Sequence, residues 1–154
     1  MKLKESIQGW LNSAFTDPIV NLLAKNSQLT RIQLETLLID VLAENIAGKS
    51  INYDEKANLR LMKSKLSRGA FNRTLAQAKK NVINSIYTIL LLGYLGVFES
   101  TTLDPYLEIA NKLKEYVEAH DNIPDREEEA INRLKAIGLI REEIEKSLKQ
   151  LSLP

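Results

Sequence analysis

The sequence predicts an all-α protein, a helical bundle of about seven helices. Three observations carry that expectation. Apolar residues recur at i, i+3, i+4 and i+7 along most of the chain. Apart from Gly9, the six glycines and four prolines fall where helices should start or stop. Sustained alternation of apolar and polar residues is absent, apart from a possible short extended piece at Tyr94 to Phe98.

A first helix is expected over about residues 3–14, with Ile7, Trp10, Leu11 and Ala14 on one face. Asp17-Pro18 then reads as a cap followed by proline in the first turn, opening a short helix with Ile19, Val20, Leu22 and Leu23. Thr30, followed three residues later by Gln33, is a capping box. The helix behind it should run to about Ala47 with Leu34, Leu37, Leu38, Val41, Leu42 and Ile46 as its stripe, and stop at Gly48. Asp54 and Glu55 suit the start of a further helix containing Ala57 and Leu61. Ser67 is a good N-cap for a long helix from Arg68 to about Gly93, striped by Phe71, Leu75, Ala78, Val82, Ile86 and Ile89. Asp104-Pro105 starts a helix to about His120. Asp125 with Glu127, Glu128 and Glu129 starts another ending at Gly138, and a last one runs from Ile140 to Leu151.

Residues 81–98 carry no charge. Their length is at the lower edge for crossing a bilayer, but Asn81, Asn84, Ser85 and Thr88 keep one face polar, so a buried core helix is expected and no membrane span. The first residues lack the continuous apolar stretch of a secretory signal. No cysteine is present, which removes disulfides, thiolate metal sites and thiol nucleophiles and fits a cytoplasmic setting.

The near-neutral net charge of +1 conceals an uneven distribution. Residues 1–55 hold five basic and seven acidic side chains, and residues 99–154 hold eight and thirteen. Between them, residues 56–98 hold eight basic side chains and none acidic: Lys56, Arg60, Lys63, Lys65, Arg68, Arg73, Lys79 and Lys80. The division expected is a helical core over 1–98 and an acidic C-terminal subdomain over 99–154. A positive centre of this kind is the electrostatic footprint of a phosphate-binding surface, or a solvated helix face answered by the acidic helices.

On the helix from Arg68, Gly69, Asn72, Arg73, Ala76, Gln77 and Lys80 should face outward, opposite Phe71, Leu75, Ala78 and Val82. Arginine pairs with guanine, and asparagine or glutamine with adenine. Gly69 and Ala76 leave room for close approach, while Ser67 and Arg68 at the helix start suit a phosphate.

The segments LTRIQLETLL at 29–38, AGKS at 47–50 and SRGAFNRTLAQAKKNV at 67–82 together resemble the helix-turn-helix of sigma-factor region 4 and of response-regulator output domains. The resemblance covers about a third of the chain and implies a helix-turn-helix unit over 30–82. It also implies a DNA-binding regulator that reads double-stranded DNA with helix 68–80. Lys63, Lys65, Ser67, Arg68, Gly69, Asn72, Arg73, Gln77 and Lys80 would form its interface, with a homodimer through the apolar 82–98 helix. Ala57 and Ser67 lie farther apart than in that family, so either the turn is enlarged or the supporting helix runs longer. The alternative function is a non-catalytic protein–protein interaction module or an oligomerising structural protein.

No enzyme, cofactor or metal is expected. His120, the sole histidine, sits at a helix C-terminus and reads as a cap. The acidic run at 127–129 opens a helix, where consecutive side chains diverge. Gly-rich phosphate loops, nucleophile elbows and zinc spacings are absent. Tyr87, Tyr94 and Phe98 read as core or interface residues.

Overall fold

The computed structural model describes residues 2–61, 66–97 and 104–121, together with scattered positions between 127 and 146. Among these the chain is all-helical, as the periodicity predicts. Six helices are traced: α1 (Leu3–Thr16), α2 (Pro18–Lys25), α3 (Arg31–Ala47), α4 (Tyr53–Ala57), α5 (Arg68–Tyr94) and α6 (Asp104–Asp121). The described positions from 127 to 146 are helical as well. The predicted extended piece is corrected: Tyr94 closes α5, Leu95 and Gly96 turn, and Gly96 takes a φ of 71°. Phe98 lies outside the described residues. The chain divides into two compact units, Met1–Leu92 and Gly93–Pro154, so the boundary falls six residues earlier than expected, at the end of α5.

In the first unit the caps are those the sequence announces. Asp17 accepts from the N–H groups of Ile19 (2.8 Å) and Val20 (3.0 Å), with Pro18 behind it. Thr30 and Gln33 close a reciprocal capping box at 3.2 and 3.0 Å. Gly48 ends α3 at a φ of 63°, a conformation that costs a side-chain-bearing residue about 1–2 kcal/mol.

The core differs in detail from the predicted stripes. Ile7, Leu11 and Phe15 of α1 are buried, whereas Trp10 is 44% exposed. α1 is longer than expected, so its buried row is the i, i+4, i+8 set, and Trp10 lies one residue off it. Arg31 covers Phe15, its guanidinium carbon 4.4 Å from the ring centroid. On α3 the fully buried residues are Glu35, Thr36, Ile39 and Ala43, while Val41 and Ile46 are exposed. Two polar groups can occupy that face because each finds a partner: Glu35 accepts from the Leu61 N–H (2.7 Å), and Thr36 accepts from Arg60. From α5, Phe71, Leu75 and Ala78 complete the core.

α4 is a single five-residue turn capped by Asn52. Leu61, expected within it, lies beyond its end. The Leu61 N–H that would continue the helix is spent on Glu35, and the Asn58 amide donates to the Asp54 carbonyl at 2.9 Å. The ten residues 58–67 therefore separate α4 from α5, where a helix-turn-helix has three or four. Of the two alternatives left by the spacing, the connection is the part that is enlarged; its residues 62–65 lie outside the described set.

In the second unit, α6 begins where Asp104-Pro105 places it, and Lys112 pairs with Glu143 at 2.5 Å. Gly138 is helical and has no positive φ, so the predicted stop there is corrected.

Candidate nucleic-acid interface

Two of the eight central cations are internal. Lys56 is 3% exposed and its ammonium donates to Asp40 (2.7 Å) and Glu44 (2.9 Å), both on α3. Burial alone would lower the Lys56 ammonium, but the hydrogen bonds to Asp40 and Glu44 reverse this and hold it above its ordinary value. Asp40 is the mirror case: burial pushes its carboxyl up, yet Lys56 and Lys79 outweigh that and keep it below the usual range. Arg60, also 3% exposed, donates to the Thr36 hydroxyl and stacks its guanidinium 5.8 Å from the Phe71 centroid. Burial lowers its pKa and Glu35 opposes that shift. The positive stretch from Lys56 is thus not one surface; its first two charges tie α4 and the following segment to α3.

The exposed part begins at Ser67, whose hydroxyl accepts from the Ala70 N–H at 3.2 Å and caps α5. Arg68, Gly69, Arg73, Ala76, Gln77, Lys79 and Lys80 are all exposed. A Cβ on Gly69 would lie 3.4 Å from Arg73 Nη1, so the guanidinium of Arg73 reaches back over the open face at Gly69. Lys79 pairs with Asp40 at 3.2 Å. Among the described residues no ion pair engages Arg68, Arg73 or Lys80. Arg73, Lys80 and the small residues Gly69 and Ala76 share one side of α5 with Gln77, while Arg68 is exposed in the first turn.

Two sequence-predicted positions change role, and two cannot be placed. Asn72 sits at the flank of the helix, half-buried, with its Oδ1 enclosed and without a hydrogen-bond partner, so it does not belong to the outward face. Gln77 is on that face, but its Nε2 donates to Asn81 Oδ1 at 2.9 Å. Lys63 and Lys65 lie outside the described residues. The residue that sequence reasoning missed is Asn81. Its Nδ2 donates to the Gln28 carbonyl (2.9 Å) and to Gln33 Oε1 (3.2 Å), joining α5 to the capping box of α3. Polarity within an apolar run was the visible signal; the partners, about fifty residues away, were not.

Beyond Ala78 the buried stripe ends. Val82 and Ile86, expected in the core, are 38% and 53% exposed, and Ile83, Tyr87, Leu90 and Leu91 are exposed with them. The buried core helix expected over 81–98 is therefore corrected: none of residues 81–97 is buried, and the buried residues of α5 end at Ala78. Asn81, Asn84, Ser85 and Thr88 line an open groove with Gln28 on another side. No helix among the described residues is long and apolar enough to cross a membrane. Among the described residues no cluster of three or more carboxylate or imidazole side chains could hold a metal; the His120 side chain is outside that set. Comparison with protein-family models, with curated proteins and with solved structures yields no match.

Proposed function

We propose that this protein is a DNA-binding regulator that docks residues 68–80 of α5 against double-stranded DNA. The observation that carries the reading is the exposed face of α5: Arg73 and Lys80 stand without an acidic partner, beside small residues and opposite the side anchored in the core, and Arg68 stands likewise unpaired in the first turn. Ser67, Arg68 and Lys80 serve phosphates, with Lys63 and Lys65 of the preceding connection. Arg73 and Gln77 serve base edges, guanine and adenine respectively. The resemblance to sigma-factor region 4 rests on the three matching segments, and the proposed docking helix does not depend on a tight turn. The proposed setting is cytoplasmic, and the protein acts as a homodimer through the apolar residues beyond Val82, which pairs two docking helices for two half-sites.

A titration of labelled duplex at several salt concentrations tests the proposal. Affinity should fall steeply with salt, and Arg68→Ala or Lys80→Ala should each make the log–log slope shallower by about one. Arg73→Ala should instead relax sequence preference, by about 1–3 kcal/mol. Absent or salt-insensitive binding rejects DNA binding.

One observation favours a second reading, a protein–protein interaction or oligomerising module. Six large apolar side chains between Val82 and Leu91 are at least 38% exposed on one helix, and contiguous apolar surface of this kind marks association sites. Under that reading, Ile86→Glu abolishes association while the Arg68 and Lys80 variants change nothing.

A further inference from the structure

We infer that Asn81 is a positioning residue that presets the Gln77 amide to read adenine. The inference rests on the DNA-binding proposal and adds to it a base identity and the device that enforces it.

The chain of reasoning starts at a backbone group. The Gln28 carbonyl can only accept, so the Asn81 group that faces it at 2.9 Å is the amide nitrogen. The second N–H of that nitrogen is directed to Gln33 Oε1 at 3.2 Å. Gln33 Oε1 is itself fixed, because it accepts the Thr30 N–H at 3.0 Å within the α3 capping box. Asn81 therefore cannot exchange its oxygen and nitrogen without placing two oxygens against one another at both contacts. Its Oδ1 must point toward Gln77, and Gln77 must answer with Nε2, which donates at 2.9 Å. The polarity of the exposed glutamine is thus dictated by a carbonyl two links away.

What remains free on Gln77 is one N–H and the carbonyl oxygen. Adenine presents in the major groove one acceptor, N7, and one donor, N6–H, which match that pair. Guanine presents two acceptors, and the Gln77 carbonyl would oppose one of them. A freely rotating glutamine could adapt to other partners and would lose rotamer freedom on binding; a clamped one does neither. Arg73 stands one helical turn away, about 6 Å along the axis, so the guanine it reads lies within about two base pairs of that adenine.

The test uses the full chain and two readouts. In the unliganded protein, side-chain ¹⁵N relaxation should show the Gln77 amide as ordered as the backbone of α5, and Asn81→Ala should release it. In selection of bound sites from randomised duplexes, the wild type should enrich adenine at one position, and Gln77→Ala should erase that enrichment. Asn81→Ala should reduce it about five-fold while leaving the salt slope unchanged. An unliganded Gln77 amide that already reorients freely overturns the inference even if Asn81→Ala fails to fold. Adenine enrichment that survives Asn81→Ala overturns it while DNA binding stands. A wild type that binds no duplex at low salt removes both.

Discussion

Lys56 shows what decides whether a cation serves the surface or the interior. Its ammonium has two carboxylates within 2.9 Å, and the side chain is almost wholly enclosed. Replacing it with an apolar side chain leaves Asp40 with only Lys79 as a cationic partner. Lys56→Met should lower stability by about 3 kcal/mol, near the low end for breaking a buried pair because Glu44 still reaches water, and urea unfolding measures it. The same trio sets a pH dependence. Asp40 and Glu44 have carboxyls held below their ordinary values, so their contribution is complete above the unfolded carboxylate range and is lost as pH falls through the folded values. Lys56 is held above its ordinary value, so its contribution is complete below that value and is lost as alkaline pH passes the folded one. Stability should therefore be flat around neutrality and fall on both sides, and Lys56→Met should flatten both limbs. None of this was visible along the chain, since a count of charges from 56 to 98 does not show that two of their partners stand on the preceding helix.

At the scale of elements, the sequence was most legible at helix ends, where one side chain meets one or two backbone groups nearby. Asp17, the Thr30–Gln33 box, Gly48 and Ser67 all act locally, and all lie where their residue types place them. Asp17→Ala should cost about 1–2 kcal/mol, because two N–H groups of α2 lose their acceptor, and a thermal melt should report it. Buried faces were less legible. On α3 the apolar spacing pointed to Leu34, Leu38 and Val41, but the helix turns Glu35 and Thr36 inward, because Arg60 and the Leu61 N–H supply partners no periodicity can foresee. The early end of α4 has the same origin. For the proposed docking face of α5, outward positions could be assigned from the helical angle, and Arg73, Gln77 and Lys80 are exposed where it puts them. Asn72 lies on the flank, where the angle alone does not separate surface from interior.

For the whole molecule, α5 is the organising feature. Its 27 residues extend about 40 Å, and its buried residues end at Ala78, well before its C-terminus. The first half is cationic and small-featured, and the second is uncharged and apolar on the sides that carry Ile83, Ile86, Tyr87 and Leu90. If the proposed homodimer forms there, sedimentation should give a dimer for the wild type and a monomer for the pair Ile86→Glu and Leu90→Glu. The monomer should keep its fold, since neither residue is in the core. Its affinity for a two-half-site duplex should drop at least ten-fold, while affinity for a single half-site is unchanged.

The enclosure of Lys56 also makes it a chemical reporter. Acylating reagents attack the neutral amine; here the hydrogen bonds to Asp40 and Glu44 disfavour that form, and the protein around it keeps the reagent out. Lys80 of α5, open to solvent, is accessible to the same reagent in the same molecule. The ratio of their labelling rates measures how often the joint between α3 and α4 opens, independently of protein concentration. The labelling of Lys80 alone, with and without duplex, tests the proposed docking face in the same experiment.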